Sequence, residues 1–239
     1  MNDSFHRHIR SFVMRSGHIT QAQRTTRERL FPQWGIQYPS ETLDFKGIFG
    51  RDGPVVFEIG FGMGETTAAI AKAYPNWNIV GVEVYKPGVG ALLGRIEQEG
   101  LTNIRIIEYD AVEVLGTMIA DASLDAVHIY FPDPWPKKRH HKRRLIQPPF
   151  MEKLCPKLKP AGIVHMATDW PEYADQMLAV CTAQESLKNQ AGQGFSARPA
   201  WRPQTKFEAR GLRLGHPVAD IIFQKRVTAN NTINPNTMR

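Results

Sequence analysis

Cysteine is nearly absent. The 239-residue chain holds two, Cys155 and Cys181, and no Cys-x-x-Cys pair. That excludes a disulfide scaffold and predicts reduced thiols in a cytoplasmic protein. No apolar run approaches the roughly 20 residues that span a bilayer. Met1-Asn2-Asp3-Ser4-Phe5-His6-Arg7 leads into no apolar stretch of a secretory signal. Metal-ligand spacing is also missing. His140 and His141 are adjacent, and His6 and His8 lie in a polar tail, so no metal is expected. Acid is the scarcer charge, with 23 Asp and Glu against 30 Lys and Arg, a formal net charge of +7. With 42% hydrophobic and 22% charged residues, the chain has the material for a core.

The positive excess is unevenly placed. Residues 1–34 carry six Arg against Asp3 and Glu28, and residues 137–144 (Lys-Lys-Arg-His-His-Lys-Arg-Arg) carry six cations and no acid. The remainder holds more acids than bases. Two basic patches on an acidic body point to a polyanionic partner, nucleic acid ahead of an anionic membrane.

Residues 1–34 show no clear period and read as a basic, flexible or partner-ordered arm. Residues 35–53 read as a loop-rich entry. Strands are then predicted at 55–59, 78–84, 104–109, 124–131 and 162–168, alternating with helices at 65–74, 87–99, 111–119, 150–158 and 172–182. Such alternation specifies an α/β domain with a parallel sheet and helices on both faces. Residues 189–204, rich in Gly, Pro and Gln, read as a long surface loop, and 218–227 as a last strand. The Asn- and Thr-rich tail 228–239 is expected to be disordered. One domain over 35–227 thus lies between two tails.

The first strand runs into Glu58-Ile59-Gly60-Phe61-Gly62-Met63-Gly64. Gly60, Gly62 and Gly64 let the backbone turn tightly and approach a ligand. A purely structural turn would explain them equally well. A dinucleotide site prefers Gly-x-Gly-x-x-Gly, and a carboxylate at 58 suits a cation better than a pyrophosphate. Glu83 ends the second strand at a spacing where an acid accepts ribose hydroxyls, and Asp110 ends the third. Any one of these acids could be an exposed strand end. Together, at the carboxyl edge of a sheet, they suit a ligand with a positive centre, a ribose diol and an adenine amine.

This constellation resembles the class I S-adenosylmethionine-dependent methyltransferases, whose first motif reads acid-x-Gly-x-Gly-x-Gly. The resemblance covers roughly residues 54–227. It implies a Rossmann-like fold with a seven-stranded, mostly parallel sheet and an antiparallel last strand. It also implies S-adenosyl-L-methionine as cofactor. Gly60, Gly62 and Gly64 would lie against its methionine part, Glu83 at the ribose and Asp110 at the adenine end.

The fourth strand runs into Phe131-Pro132-Asp133-Pro134-Trp135-Pro136-Lys137-Lys138. Three prolines stiffen the loop, remove backbone donors and present Asp133 and Trp135 in one geometry. A rigid crossover loop is the bland alternative, but such a loop seldom needs a carboxylate framed by two prolines and followed by Trp. The cations that follow lack counter-charges and precede a predicted helix N-terminus, where the dipole disfavours them. Phosphates would neutralise them, although a solvated loop would tolerate them.

With this loop the match narrows to the bacterial tRNA (guanine-N7-)-methyltransferases. Ala167-Thr168-Asp169-Trp170 and Thr205-Lys206-Phe207-Glu208, the family's Thr-x-Phe-Glu segment, agree with it. The resemblance implies methyl transfer to N7 of a guanine in tRNA, at position 46 of the variable loop. Glu58, Glu83, Asp110 and Asp133 would contact the cofactor or centre the active site, with Asp133 catalytic. Lys137, Asp169, Thr205, Lys206, Phe207 and Glu208 would surround the guanine. Arg139, His140, His141, Lys142, Arg143 and Arg144 would meet the RNA. The expected partner is tRNA, with no membrane involved and monomer or homodimer both open. A methyltransferase of the same fold acting on a protein or a small molecule explains residues 54–131, but not the basic segments, and one acting on another RNA stays open. The acids at 58, 83, 110 and 133 count against a non-catalytic RNA binder, and the glycine spacing counts against a nicotinamide dehydrogenase.

Overall fold

A computed structural model describes residues 11–12, 18–39, 41–204, 208, 212, 215 and 217–227. The chain enters through helix α1 (Gln21–Trp34), the two-residue strand β1 (Gly35–Ile36) and the short helix α2 (Phe45–Phe49). The predicted alternation follows: β2 (Val55–Ile59), α3 (Glu65–Ala73), β3 (Asn78–Val82), α4 (Lys86–Glu99), β4 (Ile104–Ile107), α5 (Ala111–Thr117) and β5 (Leu124–Tyr130). A 3₁₀ turn (Lys138–Arg143) then leads to α6 (Pro148–Lys157), β6 (Leu158–Thr168), α7 (Pro171–Thr182), β7 (Leu187–Asn189) and β8 (Ala219–Lys225).

Among the described residues one sheet has eight strands, in the order β1-β4-β3-β2-β5-β6-β8-β7. Strands β1 to β6 pair in parallel, and β8 runs antiparallel to both β6 and β7. The expected count was seven. Strands β1 and β7, of two and three residues, are too short for a period of two to register in sequence. Every residue of β2 and β3 is buried, which is why they read as unbroken apolar runs. One face packs Phe57, Val127 and Val164 against Leu115, Leu154 and Met177 of α5, α6 and α7. The other packs Val56, Ile79 and Ile104 against Leu30, Ile70 and Leu92 of α1, α3 and α4. No helix among the described residues is long and apolar enough to cross a membrane.

Two readings of the sequence change here. Part of the stretch taken as a flexible arm is the helix α1. Thr20 opens it with a capping box, its hydroxyl accepting from the Gln23 N–H while the Gln23 side chain accepts from the Thr20 N–H. Only Leu30 is buried, so no apolar stripe betrays the helix. It is tied down by Arg27 to Glu108 and by Arg29 to Glu97 of α4. It also crosses α4 so closely that a Cβ on Gly90 would lie 2.6 Å from the Gln23 carbonyl. Second, the loop over 189–204 is not wholly superficial, because Arg202 is 1% exposed. The rest of the arm (1–10 and 13–17), the tail 228–239 and residues 205–207 lie outside the described residues.

Strand order reverses between β2 and β5, since β2 leads to β3 and β4 on one side while β5 and β6 lie on the other. At such a switch point the loops leaving the two strands diverge and open a crevice at the carboxyl edge. The loop after β2 rests on the first turn of α4, and a Cβ on Gly88 would lie 2.0 Å from the Gly62 carbonyl oxygen. Gly88→Ala should therefore displace that loop and cost about 1–3 kcal/mol of stability. Gly116→Ala in α5, where a Cβ meets nothing within 4 Å, should stabilise by about 0.5–1 kcal/mol. Denaturant unfolding of the two variants beside the parent checks both signs.

Candidate active site

A cavity of about 650 Å³ opens at the switch point, within the size range of small-molecule sites. Gly60 and Gly62 form part of its lining, with Glu83 and Asp110 on one side and Tyr130 and Asp133 on the other. Gly60, Gly62 and Gly64 have φ of 76°, 56° and 72°, left-handed values that side chains disfavour. A Cβ at 60 or 62 would meet no protein atom within 4 Å, so these two glycines leave open space. A Cβ at 64 would lie 2.7 Å from the Leu92 side chain, so the third serves helix packing.

Glu83 holds this loop in place. One carboxylate oxygen accepts from the Gly62 N–H at 2.8 Å, and the other from the Val84 and Tyr85 N–H groups at 2.7 and 2.9 Å. Burial raises its pKa above the ordinary value against the pull of those three donors, and the charge of Asp133 adds to the rise. The charge of Asp133 is thus felt at Glu83 across the cavity. Asp110 is the N-cap of α5, accepting from the Val112 N–H at 2.9 Å. Both acids retain acceptor capacity for a ligand.

Glu58 does not line the cavity. The pleat of β2 turns Ile59 to the cavity and Glu58 to the opposite face, where it is 3% exposed. Burial pushes its carboxyl up to about 7, with the Thr67 hydroxyl opposing and Glu83 adding to the shift. The expected cofactor contact at 58 becomes a buried carboxyl behind the glycine loop.

The loop bearing Asp133 is strained on both sides. Phe131 and Trp135 have φ of 51° and 46°, left-handed values that cost a non-glycine residue on the order of 1–2 kcal/mol. Their surroundings hold them there. The Phe131 N–H donates to the Ala167 carbonyl at 2.7 Å, and the Trp135 indole to the Ser11 carbonyl at 3.1 Å. The Arg143 guanidinium lies 4.9 Å from the Trp135 ring centre. Ser11 and Phe12 of the arm also line the cavity, which no sequence signal indicated.

The cationic run divides. Lys137, Lys138, Arg139, Lys142 and Arg143 are exposed, while His140 and His141 are half-buried. Arg144 is 3% exposed and turned inward, so it is not the RNA-facing cation expected from sequence. Its guanidinium donates to the Pro134 carbonyl and the Gln176 side chain instead.

Asp169 follows β6 at the same sheet edge and is half-buried, off the cavity wall. Thr205, Lys206 and Phe207 lie outside the described residues. Glu208 is buried, and both its oxygens accept from Arg202, at 2.6 and 2.8 Å, so the expected guanine contact is an internal counter-ion here. Arg202 also donates to both oxygens of Asp220. Asp220 faces His165 Nε2 at 2.7 Å, and His165 Nδ1 lies 3.0 Å from both the Trp201 indole and the Tyr130 hydroxyl. Indole only donates, so Nδ1 accepts and the proton sits on Nε2. Burial works to raise Asp220, but bonds from His165 and Arg202 outweigh it and hold the carboxyl below its usual range. Sequence reasoning missed this network. The available signal was an acid inside the apolar strand 218–227, which demands a partner.

A protein-family model described as "Putative methyltransferase" matches residues 52–221. The chain is 57% identical to the tRNA (guanine-N(7)-)-methyltransferase of Bordetella pertussis, over 91% of this chain and 85% of that protein. It is 54% identical to the one from Chromobacterium violaceum, over 94% and 99%. Its fold is shared by an rRNA methylase from Streptococcus thermophilus, with a TM-score of 0.51 at 16% identity over 74% of this chain and 89% of that one.

The Glu58 carboxyl makes a pH test possible. It titrates near 4.5 when unfolded and at about 7 when folded. Between these values the unfolded chain binds fewer protons, so this group's contribution to stability is present at low pH and lost as pH rises to 7. The loss is on the order of 3 kcal/mol. Glu58→Gln should remove that decline, so the variant gains on the parent between pH 5 and pH 8 in denaturant titrations. Parallel pH profiles would rule the assignment out.

Proposed function

The chain belongs to the tRNA (guanine-N(7)-)-methyltransferase family, and from that membership we propose that it transfers a methyl group from S-adenosyl-L-methionine to N7 of a guanine in tRNA, at position 46 of the variable loop. The observation that carries the reading is one continuous loop. It begins at the cavity-lining carboxylate Asp133 and ends in the exposed cations of the 3₁₀ turn.

The cavity suits the cofactor. Open space lies over Gly60 and Gly62, and the lining carboxylates complement a positive centre. S-adenosyl-L-methionine supplies an activated methyl group on a sulfonium. Glu83 would accept from its ribose hydroxyls and Asp110 from its adenine amine.

Guanine N7 carries an in-plane lone pair and no proton, so no side chain has to act as a base. The chain contributes position and field. Positioning supplies on the order of 7–11 kcal/mol in well-oriented reactions. The purine gains positive charge as its N7 is methylated, and a carboxylate already fixed in place stabilises that charge without reorganising. Asp133 is that carboxylate. Asp169 would accept from the guanine N1–H and 2-amino group, which adenine cannot offer in the same arrangement. Lys137 and residues 205–207 would complete the guanine pocket, with Glu208 supporting it through Arg202. The exposed cations of the turn would meet tRNA phosphates, and a tRNA substrate supports a cytoplasmic location.

Asp133→Asn should leave cofactor binding measurable by calorimetry and lower kcat on the order of 100-fold or more. Normal turnover would sink the electrostatic role. Arg139→Ala with Lys142→Ala should weaken tRNA binding and make its salt dependence shallower by one to two in slope, at about 0.9 per phosphate contact. Mapping the methylated nucleotide in treated tRNA tests the reaction itself, and a product other than 7-methylguanine at position 46 would overturn the assignment.

A further inference from the structure

Arg144 stands in a run of cations, yet its side chain is 1% exposed. Its guanidinium makes four contacts. Nε donates to the Pro134 carbonyl at 2.8 Å, Nη1 to the Gln176 side-chain oxygen at 2.6 Å, and Nη2 to His141 Nε2 at 3.0 Å. Its central carbon lies over the Tyr173 ring, 4.9 Å from the ring centre. The nearest acid, Glu172, is 3.9 Å away and 61% exposed, too solvated to offset the burial of a charge. Three neutral acceptors from three segments fit a different purpose, which is to fix those segments against one another.

The segments are the Asp133 loop, the cationic turn and α7. On α7, Tyr173 and Gln176 lie three residues apart on one face. Both are themselves held, since the Tyr173 hydroxyl accepts from the Ile146 N–H and the Gln176 amide donates to the Ile146 carbonyl. Pro134 has no N–H, so its carbonyl is the one backbone hydrogen-bonding group it offers. It directly follows Asp133, and left-handed Phe131 and Trp135 stand on either side. Released from Arg144, that stretch can relax, and Asp133 moves with it.

We propose that Arg144 is a positioning residue for methyl transfer, fixing Asp133 through the Pro134 carbonyl and the cationic turn through His141, and that it makes no contact with RNA. This rests on the methyltransferase reading above. An arginine is needed because only a planar fork can bond three acceptors while its central carbon stands over the Tyr173 ring; an ammonium group cannot do both.

The test compares Arg144→Lys, Arg144→Ala and Lys142→Ala in the full chain, with the parent assayed beside them on bulk tRNA. In Arg144→Lys, kcat should fall at least about tenfold, within the roughly 100-fold cost of a 1 Å misplacement. The Kd for S-adenosyl-L-methionine, the KM for tRNA and the salt slope should stay near parental values, whereas Lys142→Ala should flatten the slope. Millimolar ethylguanidinium should restore part of the kcat of Arg144→Ala. If Arg144→Ala does not fold, Gln176→Leu, which removes one acceptor and keeps the guanidinium, should reproduce the kcat loss with the salt slope intact. A raised KM with a flattened slope and parental kcat in Arg144→Lys would make Arg144 an RNA contact and overturn the proposal. Parental kcat in both Arg144→Lys and Gln176→Leu would overturn it as well. A parent protein that leaves guanine N7 of tRNA unmethylated would instead overturn the functional reading, and this proposal with it.

Discussion

Asp133 sits on backbone that would not hold its shape unaided. Phe131 and Trp135 both adopt left-handed φ, where an L side chain crowds its own carbonyl. Three prolines limit what the stretch between and after them can do, but they supply no N–H donors. The conformation therefore depends on groups brought in from elsewhere. Ala167 of β6, Ser11 of the arm and Arg144 each bond it. None is near Asp133 in sequence except through the loop itself, so the site requires the whole domain to be folded around it.

The electrostatics of the cavity follow from the same placement. Glu83 and Asp133 face a common space, where burial first and then the charge of Asp133 raise the cost of ionising Glu83. Glu83 tolerates this because three backbone N–H groups point at it. A cationic ligand between the two carboxylates would relieve the repulsion, whereas an anion would compound it. Just outside, the exposed turn has the opposite sign. The +7 of the chain is thus the remainder of two local requirements, a cavity that favours a cation and a rim that favours phosphate.

The fold was legible where burial imposes a sequence pattern. Strands β2 to β6 are apolar runs because helices cover both faces, and their spacing requires crossover connections. Helix α1 was not legible, because it is held by charge pairs and by the close approach at Gly90, which leave no apolar period. The site was legible as a set of acids at strand ends, and Glu83, Asp110 and Asp133 do share one cavity. Glu58 fell outside it although the pleat already placed 58 and 59 on opposite faces. Arg144 and Glu208 were misread for another reason. A sequence shows charge but not burial, and each turns towards a partner fixed only by tertiary structure.

Those partners show how buried arginines divide the work around the loop. Arg202 lies 5.9 Å from the Phe131 ring centre and gathers Glu208 and Asp220, the latter already facing His165. Arg144 holds the far side at Pro134. Guanidinium suits both places, since it stays charged when buried and its planar donors impose direction as well as attraction. The consequence is a separation of roles within one basic composition. Exposed cations such as Lys142 present their charge to solvent. The two inward arginines instead bond groups of the fold itself, Arg144 the Pro134 carbonyl and Arg202 the carboxylates of Glu208 and Asp220.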